Sequence, residues 1–336
     1  MKFAAIGLDH RHIYDLTENL LKAGAECAGY CPETSDPGVV EGFVKRFPQI
    51  APKPRAALLG DKSVAFVATA AVPADRAQLA IAAMRAGKDV MSDKPGVTTL
   101  DDLEALEDCV RETKRIWHTC FTERFLTPST YEALALVRAG AIGRVVQTIG
   151  LGPHRLNAPI RPAWFWECAR YGGILGDIAS HQIDQFIAFT GVKEPRVELA
   201  RIGSFGSRPG SEHEGFQDFG EIVLGSEGPR GYVRVDWFTP DGLPTWGDGR
   251  IMVLGTEGTI ELRKYVDVEG RPGTDHLFLV DKKGTRYIAC EGRPLPYFAA
   301  FLADVRDRTE TAMAQSHVFT VSRLTIAAQL KAEGRA

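Results

Sequence analysis

Phe3-Ala4-Ala5-Ile6-Gly7-Leu8-Asp9-His10-Arg11-His12 opens the chain with a short apolar run broken at a glycine, and Ile13, Leu16 and Leu20 follow at helical spacing. This reads as a strand, a tight turn and a helix. The unit recurs downstream, with strands expected at 26–31 and 64–70 and helical character at 39–47 between them. Residues 74–86 carry small and apolar side chains at Ala77, Ala80, Ile81 and Met84, stop at Gly87 and lead into the strand Asp89-Val90-Met91. A helix over 100–113 and a strand over 116–121 complete the alternation. Such alternation predicts an α/β unit built on a doubly wound parallel sheet, the Rossmann arrangement.

After about residue 122 the pattern changes. A helix at 131–139 is followed by strand-like runs at 145–150, 196–205, 221–224, 231–238, 250–254 and 259–262, several of them alternating and joined by glycine turns such as Gly255-Thr256-Glu257-Gly258. A largely antiparallel, open-faced sheet is expected, interrupted by one long helix at 174–190 and covered by helices at 297–305 and 318–330. With 336 residues the chain exceeds the usual ceiling for one hydrophobic core, so two domains are expected, 1–122 and 123–336.

Composition narrows the partners. A hydrophobic share of 44% and a charged share of 25% are those of an ordinary soluble protein, and a net charge of −3 gives no general attraction for nucleic acid or membrane surfaces. A small-molecule partner is the default. The six cysteines are scattered without the spacing of a zinc site, so they read as reduced core residues and no metal is expected. Met1-Lys2 runs straight into the first strand without a signal peptide, and no stretch approaches the ~18 apolar residues of a membrane span, so the cytoplasm is the expected compartment.

Only the first glycine of a Gly-x-Gly-x-x-Gly fingerprint survives at the opening turn, as Gly7; the other two positions hold Asp9 and His12. Asp9 suits a helix N-cap, and the turn remains able to receive phosphate at the helix N-terminus. His10, Arg11 and His12 supply positive charge there or are simply solvated. Glu33, after the second strand, is the nearest candidate to bind a ribose, with a merely solvated loop carboxylate the competing reading, and the lack of an immediately following arginine leans slightly toward NAD over NADP. Thr69, near the end of the third strand, is a further cofactor-binding candidate.

Asp93-Lys94-Pro95 follows a short apolar strand, and proline keeps Lys94 out of helical geometry at the carboxyl edge of the sheet, where α/β folds place ligands. The competing reading is a surface lysine in a turn. In Gly172-Gly173-Ile174-Leu175-Gly176-Asp177-Ile178-Ala179-Ser180-His181-Gln182-Ile183-Asp184, the residues Asp177, His181 and Asp184 fall at i, i+4 and i+7 on one helical stripe. A carboxylate one turn before a histidine orients the imidazole and raises its basicity, as a general base needs; a solvated polar stripe is the alternative. Arg124, His154 and Trp164 are further candidates for a polar substrate pocket, with a structural ion pair the competing role for Arg124.

Taken in order, these motifs resemble the Gfo/Idh/MocA oxidoreductase family over nearly the whole chain: the Gly7 turn, Ala82-Ala83-Met84-Arg85-Ala86-Gly87-Lys88-Asp89-Val90 with Asp93-Lys94-Pro95, Gly172-Gly173 with Asp177 and His181, and Gly255-Thr256-Glu257-Gly258-Thr259-Ile260. The resemblance implies an N-terminal Rossmann domain that binds NAD or NADP through Gly7, Asp9, His10, Arg11, His12, Glu33, Thr69, Asp93, Lys94 and Pro95. It also implies a C-terminal α/β domain whose open sheet mediates dimers or tetramers, and oxidation or reduction of sugars, polyols or related cyclic alcohols. Lys94, Asp177 and His181 fall on the family's catalytic positions. Asp93 replaces the usual glutamate of Glu-Lys-Pro, and the stretch 70–75 lacks an asparagine and a histidine that often touch the nicotinamide side. A redox-neutral lyase or glycosidase on a retained cofactor, and a ligand-sensing regulator, share the fold and stand as alternatives.

Overall fold

The first strand, β1 (Lys2–Leu8), is buried at every position after Lys2, as a strand must be when helices cover both faces of its sheet. In the computed structural model, which describes residues 1–206, 213 and 215–335, β1 lies between β2 (Glu26–Tyr30) and β3 (Val64–Ala70), and the sheet continues through β4 (Asp89–Asp93) to β5 (Trp117–Cys120). All neighbours are parallel, in the order β2-β1-β3-β4-β5. The crossover helices His12–Lys22, Pro37–Arg46, Arg76–Arg85 and Leu100–Thr113 fall close to the expected stretches. Side-chain caps fix two of their starts: Asp36 accepts from the Gly38 N–H, and Thr99 accepts from the Asp102 N–H. The helix Arg55–Gly60 was not expected, because six residues with one buried side chain are too short to show a period.

The chain divides into two compact units. The first holds Met1–Cys120 together with Pro162–Gly172 and Pro296–Arg323, and the second holds the other described residues. Those two later stretches fall within 123–336, and specific contacts tie them to the first unit. Arg308 donates two bonds to the Asp89 carboxylate at 2.7 and 2.9 Å. Gln315 bridges the N–H and carbonyl of Trp117 at 3.0 and 2.9 Å, and Arg170 chelates Asp75 at 2.8 Å through each oxygen.

The second unit is built on eight strands: β6 (Val145–Pro153), β7 (Arg196–Gly203), β8 (Phe219–Gly225), β9 (Arg230–Asp236), β10 (Arg250–Gly255), β11 (Gly258–Arg263), β12 (His276–Asp281) and β13 (Gly284–Ala289). Their order is β13-β12-β11-β10-β6-β9-β8-β7, antiparallel throughout except for the parallel β6 and β9 pair. The sequence reading missed β12 and β13. In β12, Leu277-Phe278-Leu279-Val280 is apolar on both faces and shows no alternation, although Leu277 and Leu279 alone enter the core.

One face of this sheet packs Ile251, Val253, Ile260, Leu262, Leu277 and Leu279 against Ala133 and Leu134 of the helix Pro128–Arg138 and Phe189 of the helix Ser180–Thr190. Gly150 and Gly152 of β6 let the latter helix approach closely, since a Cβ at either would come within 2.8 or 2.7 Å of the Gln182 side chain. On the opposite face, register aligns Ile149, Met252, Glu261, Phe278 and Tyr287 in one row across five strands. Met252, Leu254, Val280 and Tyr287 on this face are all more than 40% exposed, so it is open and partly apolar.

The long helix expected over 174–190 is not α-helical throughout. Leu175–Ala179 forms a π turn, and the α-helix begins at Ser180. A π turn closes i to i+5 bonds and is wider than an α turn. Asp177 therefore does not sit at the regular angular offset from His181 and Asp184 that an α stripe assumes. Among the described residues, no helix is long and apolar enough to cross a membrane.

Candidate functional site

The first unit brings its chemistry to the carboxyl ends of its strands. Gly7 adopts φ +75°, and a Cβ there would lie 2.6 Å from Ala71 Cβ and 2.9 Å from Thr69 Oγ1, so the turn requires glycine on both counts. The buried Thr69 hydroxyl accepts from the Ala71 N–H at 3.2 Å and so supports this turn. Asp9 is not a helix cap: Arg11, exposed, holds the N-cap position without a side-chain cap bond. The Asp9 carboxylate instead accepts from the Ser35 N–H at 2.5 Å, the Ser35 hydroxyl at 2.7 Å and the Thr34 hydroxyl at 3.0 Å. It fastens the turn to the loop after β2.

A cleft of about 300 Å³ opens here, lined by Gly7, Asp9, Glu33, Arg55, Ala71 and Asp75 among others. It lies off the ends of β1 and β3, where the strand order reverses direction, the position at which open α/β sheets bind ligands. Glu33 is exposed at this cleft. Arg55 lines it too, a cation that its distance from Glu33 in sequence concealed.

Asp93 ends β4 with its carboxylate fully buried. Its Oδ2 accepts from Arg76 at 2.9 Å, its Oδ1 lies 2.9 Å from His12 Nδ1, and His10 Nδ1 is 3.6 Å from Oδ2. Burial disfavours the Asp93 charge, but His12 and Arg76 outweigh it and hold the carboxyl well below the ordinary range. His10 is held well below the usual imidazole range by its enclosure and then by His12, with Asp93 pulling the other way. The two imidazoles meet edge-on with centroids 4.2 Å apart, and His10 Nδ1 accepts a long 3.3 Å bond from the His12 N–H. Trp164 packs 6.3 Å from His10, which places this indole in the first unit.

Arg76 carried no sequence signal, yet it organises the loop. Besides Asp93, its guanidinium donates to the carbonyls of Ala71 at 2.7 Å, Lys94 at 2.5 Å and Pro95 at 2.9 Å. The Lys94–Pro95 peptide is cis. Lys94 is 5% exposed, so it is not a surface lysine in a turn.

In the second unit Asp177 is half-buried within the π turn, and His181 is buried near the start of the α-helix. Asp184 accepts from Arg124 at 2.6 Å and is itself fully buried; Arg124 also lies over the Phe125 ring at 4.2 Å. A solvated stripe is therefore excluded for His181 and Asp184. The sequence reading gave no role to Glu123 or Lys264. They form an ion pair at 2.7 Å with both side chains 1% exposed, and Gln182 donates to the same Glu123 oxygen at 3.1 Å. Burial opposes the Glu123 charge, but Lys264, followed by His181 and His154, outweighs it and holds the carboxyl down at about 2. His154 shares that buried neighbourhood: its Nδ1 is 3.1 Å from the Gly152 carbonyl, and its ring packs edge-on to Trp237 and Trp246 at 5.6 and 4.6 Å.

A Rossmann-like unit with a cleft at its switch point and a unit on an open eight-stranded sheet define a two-part α/β protein. Residues 131–261 match the family model of the GFO/IDH/MocA C-terminal domain. Over its full length the chain is 44% identical to a protein of Erwinia carotovora atroseptica provisionally described as an oxidoreductase, with a TM-score of 0.94 and coverage of 99% of this chain and 98% of that one. The chain belongs to the Gfo/Idh/MocA family. It is also 32% identical over 170 residues, 48% of its own length, to the levoglucosan dehydrogenase of Pseudarthrobacter phenanthrenivorans, and the match spans 41% of that relative. A levoglucosan dehydrogenase solved with NADH and levoglucosan shares the fold at a TM-score of 0.77 and 20% identity, over 100% of this chain and 98% of that one.

Proposed function

We propose that this protein transfers hydride between NAD or NADP and a secondary alcohol or ketone of a sugar, anhydrosugar or polyol. The observation that carries the reading is the buried Lys94, fixed through its backbone by Arg76 at the carboxyl end of β4, in the same unit as the switch-point cleft. The tight Gly7 turn, the Glu33 rim and the Arg55 cation fit a dinucleotide, with Asp9, His10, Arg11, His12, Thr69, Asp93 and Pro95 completing its surroundings. When bound, the nicotinamide supplies the hydride donor or acceptor. Residues 1–122 carry the cofactor side of this division of labour and 123–336 the substrate side.

In this scheme His181 acts as the general base for the substrate hydroxyl, Lys94 polarises a substrate oxygen, and Asp177 orients the imidazole. His154 and Trp164 contact substrate. Arg124 acts on substrate only through the helix it braces, since its guanidinium is committed to Asp184. Glu33 favours NAD through a free ribose hydroxyl, whereas Arg55 offers a partner for a 2′-phosphate, so both cofactors belong in the test. The open sheet face with Met252, Leu254, Val280 and Tyr287 suits a homo-oligomer. Six free cysteines, four of them buried, suit the reducing cytoplasm.

The test is fluorescence titration of nucleotide-free protein with NADH and NADPH, followed by turnover on levoglucosan, aldoses and polyols. Saturable binding of one cofactor with turnover on a member of that panel is expected. Absence of saturable binding by either nucleotide refutes the proposal.

A further inference from the structure

We propose that His10, His12 and Asp93 form a binding site for one borderline divalent cation of the zinc class. These residues also lie among those assigned above to the dinucleotide's surroundings, so the site is tested on nucleotide-free protein, where its failure leaves that reading untouched. Among the described residues these three offer one ligand atom each, all within 4.8 Å of one another. Bonds of 2.0–2.1 Å in a tetrahedron put neighbouring ligand atoms about 3.3–3.4 Å apart. The 2.9 Å from His12 Nδ1 to Asp93 Oδ1 is a little shorter than that value, and His10 Nδ1 lies 3.6 Å from the carboxylate's other oxygen, Oδ2. Small rotations of two partly exposed imidazoles suffice to close the set.

The surroundings are those of a ligand set rather than of a chance cluster. A carboxylate that binds metal through one oxygen is usually held through the other, and here Arg76, itself buried, donates to Asp93 Oδ2 and leaves Oδ1 for the cation. His10 already presents its Nδ1 lone pair, spent only on a long bond from the His12 N–H. His12 Nδ1, now hydrogen-bonded to Asp93, gives that position to the cation when its proton moves to Nε2 or to solvent. Two imidazoles and one carboxylate suit zinc, and three protein ligands leave a fourth position for water or an anion. The edge-on contact of the two rings and the Trp164 indole beside His10 limit the water that competes for the ligands.

The experiment is calorimetric titration of EDTA-treated, nucleotide-free protein with zinc chloride at neutral pH, with cobalt(II) absorption as a second report on coordination. His10→Gln and His12→Gln are compared with the parent chain; both side chains are partly exposed, so the folds are expected to persist, as circular dichroism checks. One equivalent should bind saturably, with a cobalt spectrum of low coordination number, and each variant should bind about 100-fold more weakly or not at all. Absence of saturable binding to the parent chain overturns the proposal. So does binding of equal strength in both variants, which marks an adventitious surface site.

Discussion

Replacing Lys264 with methionine leaves the Glu123 carboxylate buried without its counter-charge. The net stability that the charged Glu123 gives follows from its lowered pKa. Glu123 falls from an unfolded value of ~4.3 to about 2 in the fold, which at 1.36 kcal/mol per pH unit is about 3 kcal/mol at neutral pH. A folded value below the unfolded one gives stability that is fully present above pH ~4.3 and is lost as the pH falls toward 2. In the Lys264→Met chain burial dominates instead, the folded value rises above the unfolded one, and the penalty grows with pH. The loss should therefore be about 3–5 kcal/mol at pH 7.5 and distinctly smaller at pH 4. Urea denaturation followed by tryptophan fluorescence measures it, with Trp237 buried in the affected unit. The double variant Glu123→Gln, Lys264→Met removes both charges and should recover most of the loss. A loss below about 1 kcal/mol, or one of equal size at the two pH values, refutes the account of this pair.

Four further outcomes are expected. Lys94→Ala should lower turnover far more than nucleotide affinity, because the proposed role is exercised as charge develops on the substrate oxygen; parallel kcat and binding measurements check it. His181→Ala should cost about 10²–10⁴-fold in kcat, and Asp177→Asn a smaller factor through loss of orientation, both read from steady-state kinetics on the substrate that the panel identifies. Gly7→Ala should destabilise the first unit by at least about 1–2 kcal/mol from the positive φ, with the contacts to Ala71 and Thr69 adding to it, visible as a lower Tm. Met252→Lys with Leu254→Lys should shift the protein to a smaller assembly in light scattering while leaving its circular dichroism unchanged.

The parts of this fold that could be read in advance are those whose signal is local. Phe3 to Ile6 announces a strand because four consecutive buried positions demand four apolar residues, and Gly7 announces a turn because no other residue fits its φ. The alternation of β10 was legible for the same reason, since one of its faces is covered and the other open. β12 was not legible, because an apolar run that is exposed at Val280 and buried at Leu279 has no period to read. Nor could the π turn at Leu175–Ala179 be inferred from spacing, as nothing in a list of residues reports how many share one turn.

The site divides along the same line. Lys94, Asp177 and His181 could be singled out as candidates because each lies in a short recognisable motif, whereas the groups that fix their surroundings come from elsewhere in the chain. Arg76 reaches Asp93 across 17 positions, and Lys264 reaches Glu123 across 141. In both cases a buried charge is tolerated only because its partner arrives through the topology. In the proposed function these buried ion pairs support the chemistry: Arg76 holds the backbone carbonyls of Lys94 and Pro95, and Glu123, paired with Lys264, interacts electrostatically with His181. On this argument, substitutions at these supporting positions should move the pH dependence of turnover as well as stability, whereas a partner that merely glued two elements together would change stability alone.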